Sequence, residues 1–72
     1  MSNAERSARA RHALNCYQNL VGEVDESFAA TVVDLMADLR HFCDHMGLDF
    51  EHVSSQGDRY YREERIEEGG GS

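Results

Sequence analysis

His41 and His45 stand four residues apart, a spacing that stacks two imidazoles on one face of a helix, as in the helical half of many zinc sites. Asp34 and Asp38 extend the same stripe and could supply carboxylate oxygens. Asp38, His41 and His45 are therefore the candidate ligands of a divalent ion. Several features weigh against that chemistry. No glutamate lies between the histidines in an H-E-x-x-H order. Cys43 falls on the opposite, apolar side, and His12 and His52 have no spacing that joins them to the pair. A solvated face in which aspartates pair with nearby histidines accounts for the same residues, so no metal and no cofactor is expected.

Nucleophilic chemistry is carried less well still. Cys16 and Cys43 are the two cysteines, and both fall on predicted core faces, where a thiol behaves as a small hydrophobe. A reactive thiolate needs an electropositive, partly exposed setting, whereas Cys43 is surrounded by carboxylates. The chain has no glycine-rich phosphate loop, no nucleophile elbow and no carboxylate pair in a predicted cleft. A helical chain of 72 residues rarely encloses a substrate-sized pocket, so an enzyme is not expected.

The elements that must position these residues are helical. In "ERSARARHALNCYQNLVGEV", Ala10, Ala13, Leu14, Tyr17, Leu20, Val21 and Val24 recur at helical spacing, and Gly22 supplies a stop. Arg6, Arg9 and Arg11 oppose the dipole of that helix, so its first turn is expected to fray. Asp25 is the expected cap of a second helix, in which Phe28, Val32, Leu35, Leu39, Phe42 and Met46 repeat at spacings of 4, 3, 4, 3 and 4. At 100° per residue these six lie within about 80° of one another. Ala29, Met36 and Cys43 widen the stripe to roughly 140°. Gly47 should end this helix in the left-handed conformation, with Leu48 folding back on Cys43. Asp49 should cap a third helix carrying Phe50, Val53, Gly57, Tyr60, Tyr61 and Glu64 along one side, with a break at Gly57 as the alternative.

The predicted architecture is all-α: three short helices over about 5–21, 26–46 and 50–66, built round a helical hairpin core and dimerising through helix 2. Residues 1–4 read as a tag remnant or frayed terminus, 5–66 as a single domain, and 67–72 as a flexible tail or linker ending in "GGGS". Phe28, Val32, Leu35, Met36, Leu39, Phe42, Met46, Phe50, Val53 and Tyr61 are the residues expected to form the core or the dimer contact. A chain this short buries only about 60% of its unfolded surface, so a second subunit, a disulfide or a metal would be a usual addition. Packing within one chain, without a dimer, is the plainer alternative.

Charge narrows the partners. Fourteen acids against seven arginines, with no lysine, give −7. Residues 22–58 alone carry −8, which repels phosphate and argues against direct nucleic-acid binding. A basic protein surface suits that block, with Asp34, Asp38, His41, Asp44, His45, Asp49, Glu51 and Asp58 as the candidate partner-binding residues. No apolar run approaches the ~20 residues of a membrane span and no signal peptide is evident, so a cytoplasmic protein with free thiols is expected.

The stretches "VVDLMADLRHFCDHMGLDF" and "RYYREE" resemble a group of short, uncharacterised bacterial proteins common on plasmids, in phages and in GC-rich genomes. That group shares a D-L-x-x-D-L-x-H core, a G-x-D-F corner and an A-x-x-H-Y-x-x-E end. Matching positions here are Asp34, Leu35, Asp38, Leu39, His41, Gly47, Asp49, Phe50, Tyr61 and Glu64, within Val32 to Glu64. The chain departs from the pattern at Gly57 and Tyr60, where alanine and histidine are usual, which removes the second histidine as a ligand shared with His41. The resemblance implies an accessory role on a mobile element. Three functional expectations follow: a protein-interaction module working as a homodimer; an anti-CRISPR-like inhibitor of a host defence complex that mimics nucleic acid with its acidic side chains; and a small divalent-metal-binding protein.

Overall fold

Three α-helices hold almost every residue: α1 Asn3–Val21, α2 Phe28–Met46 and α3 Phe50–Gly69, with no strand among the described residues. The computed structural model of this protein describes residues 1–69. The rest of the "GGGS" expectation, at residues 70–72, lies outside them.

The first turn of α1 does not fray. Ser2 Oγ accepts the Glu5 N–H at 3.0 Å while Glu5 Oε1 accepts the Ser2 N–H at 3.2 Å, a reciprocal capping box. It satisfies two orphan donors, which outweighs the few tenths of a kcal/mol that each nearby arginine costs against the dipole. Packing adds to it. The Asn3 N–H donates to Glu68 Oε2 at 2.6 Å, Asn3 Nδ2 donates to the Glu64 carbonyl at 3.3 Å, and Arg6 pairs with Glu64 at 3.5 Å. Those contacts explain why α3 extends past residue 66 to Gly69.

α2 starts later than expected. Ser27, not Asp25, is its cap, accepting the Ala30 N–H at 3.1 Å. Asp25 sits in the preceding turn, which the Glu26 N–H closes onto the Glu23 carbonyl at 3.1 Å. The corner after α2 follows the sequence closely. Gly47 has φ +72°, and the Leu48 N–H donates to the Cys43 carbonyl at 2.8 Å, the long bond of a Schellman turn. Asp49 Oδ1 then accepts the His52 N–H at 3.3 Å, capping α3. Gly22 ends α1 in the same way, at φ +76°. Gly57 makes no break; α3 runs through it, and a Cβ there would meet nothing within 4 Å.

Packing departs most from expectation. Arg11 reaches Phe28 at the start of α2, while Tyr17 reaches Asp38 half-way along it. The two helices meet over a limited contact, and much of the surface of both stays exposed. That contact is pinned by polar groups. Gln18 Nε2 donates to Thr31 Oγ1 at 2.7 Å and to the Glu26 carbonyl at 3.2 Å, and Thr31 Oγ1 donates to the Ser27 carbonyl at 3.0 Å. Thr31 and Gln18 are buried, as is Cys43 at 5% exposure, which is the buried apolar residue among the described residues. Cys16, expected inside, is exposed, with its sulfur 4.0 Å from His12 Nε2. Both thiols are free.

Candidate interaction surface

The residues expected to form the core or a dimer contact lie mostly on an open face of the single chain. Leu35 and Phe50 are half-buried, but Phe28, Val32, Met36, Leu39, Phe42, Met46, Val53 and Tyr61 are all exposed, from 40% at Phe28 to 56% at Met46 and Tyr61. On α2, Cys43 is buried and the two histidines are exposed, but so is Phe42, which shares the apolar stripe with Cys43. The covering helices are what is missing. α1 touches the flank that carries Thr31 and Asp38, and α3 touches the other through Arg40, whose guanidinium lies 5.3 Å from the Phe50 ring and 3.4 Å from Glu51. Between them the stripe stays accessible to solvent.

A shallow groove of about 500 Å³ continues the apolar face where Ser7, Ala10, Arg11 and Leu14 of α1 meet Phe28. The Arg11 guanidinium lies 5.4 Å over the Phe28 ring, placing a cation on the rim of the apolar surface. A smaller groove is lined by Asn3, Arg6, Ser7, Tyr61, Glu64 and Arg65, with Glu64 paired to Arg6.

The acidic flank is more organised than the spacing of its residues implied. Tyr17 donates its hydroxyl to Asp38, and that bond, with the surrounding carboxylates, pushes the phenol up to about 12. Glu23 is raised above the ordinary carboxylate range, first by a hydrogen bond shared with Asp34 and then by partial burial and the charge of Asp34. Glu23 Oε2 is buried with no hydrogen-bond partner. Neither Tyr17 nor Glu23 was among the candidates. Only the crossing of α1 over α2 brings them to Asp38 and Asp34, and no local pattern in the chain encodes that crossing.

The other acidic candidates are scattered and partly spent. Asp49 is a helix cap, Glu51 pairs with Arg40, and Asp58 pairs with Arg62 at 2.8 Å, while Asp44 stands exposed. His41 and His45 are exposed on the acidic flank, and the third proposed ligand, Asp38, is already engaged by Tyr17. Among the described residues no cluster of three or more histidine, cysteine, aspartate or glutamate side chains is placed to hold a metal ion. No described helix is long and apolar enough to cross a membrane. No protein-family model, curated protein or solved structure matches the chain.

Proposed function

We propose that this chain is a small acidic protein-interaction module that acts by occupying a surface on another protein. One observation supports the binding role above the others: the α2 stripe, a continuous apolar face without a charged residue at its centre, is open to solvent. Monomeric soluble proteins rarely leave a contiguous apolar face of that kind uncovered. The acidic flank formed by Asp34, Asp38 and Glu23 then offers a basic partner its electrostatic complement. The accessory role on a mobile element rests on the sequence resemblance alone.

The gathering of carboxylates at the α1–α2 crossing favours one second reading, an acidic mimic that competes with nucleic acid for a defence complex. Salt separates it from binding through the apolar face. Mimicry weakens steeply as ionic strength rises, whereas apolar contact does not.

Affinity capture from bacterial lysate with wild type, Leu39→Glu and Asp34→Asn/Asp44→Asn baits tests the proposal. A protein retained by wild type and lost from either variant supports it. Equal retention by all three baits, or none above an unrelated acidic helical control, overturns it.

A further inference from the structure

We infer that the open α2 face is closed by a second copy of this same chain, and that the pairing completes a core that one chain cannot complete. The inference rests on the reading of that face as a binding surface and names its occupant.

The dimensions of the molecule support it first. A monomer of 8.2 kDa that buried its own core would expose about 4500 Å², whereas this chain exposes 5765 Å². The excess, roughly 1200 Å², exceeds the ≈ 800 Å² that each partner loses in a standard two-chain interface and falls in the range of obligate pairs. The radius of gyration agrees: 14.3 Å, against about 11 Å for a compact domain of 72 residues. The chain is open by about the area that one partner would cover.

Chemistry then selects the partner. The face runs through Phe28, Val32, Leu35, Leu39, Phe42 and Met46 with no charge among them, so its complement must also be apolar and elongated. The same stripe on another copy meets both conditions, and a two-fold axis presents it to itself. Its 4-3 repeat suits helices packing at a shallow angle. A basic partner would instead find its complement on the acidic flank, which such a pairing leaves free.

The −7 charge of each chain gives the pairing a signature. Two like-charged copies repel, and salt screens the repulsion, so the homodimer should tighten as salt is added. Contact with a basic protein would loosen.

The test is light scattering on eluted full-length protein over a dilution series, at low and high salt, with small-angle scattering and binding of an apolar fluorescent dye. Expected are twice the 8.2 kDa chain mass, tighter association in high salt, and little dye bound. Leu39→Asp should weaken pairing by roughly a hundredfold or more, because a charge would be buried unpaired. Val33→Asp, the same change outside the stripe on an exposed residue, should leave pairing intact and guards against a mere folding defect. A folded species of single-chain mass that binds dye would overturn the second copy and leave the open binding face standing. Single-chain mass with no dye and a radius near 11 Å would overturn both. A dimer that dissociates as salt rises would be held by its flanks, and it too overturns the inference.

Discussion

Glu23, shared with Asp34, and Glu5, in the α1 capping box, carry opposite pH signatures. Glu23 is raised, so its contribution is present at acid pH and lost as pH rises through its shifted value. Glu5 is lowered, chiefly by its bond from the Ser2 backbone N–H, so its contribution holds above the ordinary glutamate range and fades as pH falls. Glu23→Gln should therefore raise the melting temperature at pH 7 and give no gain near pH 4, while Glu5→Gln should lower it at pH 7; melts across pH 4–8 check both. Thr31→Val removes the acceptor of a buried Gln18 amide and should cost about 1–3 kcal/mol, measured by denaturant titration. His41→Ala and His45→Ala, both on exposed side chains, should stay within about 0.5 kcal/mol of wild type. The outward orientation of those histidines was legible because it depends on helical phase within one helix. Tyr17 and Glu23 were not legible, because their partners lie across the crossing.

At the scale of elements, the α2–α3 corner could be read residue by residue because its bonds join near neighbours in the chain. Gly47 sits at φ +72°, where a β-branched side chain is strained, so Gly47→Val should cost more than about 1 kcal/mol. Asp49→Ala should cost about 1 kcal/mol through the lost cap. Gly57 behaves in the opposite way. It lies inside α3 with open space where its Cβ would stand, so Gly57→Ala should stabilise the helix by about 1 kcal/mol, read from chemical denaturation. The helix starts were less legible. Asp25 and Ser27 are both good caps, and the choice between them is made by the turn that the Glu26 N–H closes onto Glu23. At α1, a local charge penalty was outweighed by a capping box and by bonds to α3, 61 to 65 residues away.

For the whole molecule, the apolar periodicity of α2 was legible, but the depth to which neighbouring helices bury it was not. Periodicity gives direction, whereas burial depends on crossing angles that are set between elements. Phe42 shows the difference. As a core residue its truncation to alanine would cost about 3–5 kcal/mol. At 54% exposure in the single chain, much of that cost can arise only where another molecule covers the ring. Phe42→Ala should accordingly destabilise concentrated protein more than dilute protein. Thermal unfolding of wild type over a hundredfold range of concentration reads this dependence most directly. If a second copy completes the core, the melting temperature rises steadily with concentration, because dissociation and unfolding are one equilibrium. A melting temperature that does not change across that range, for a species of single-chain mass, would contradict it.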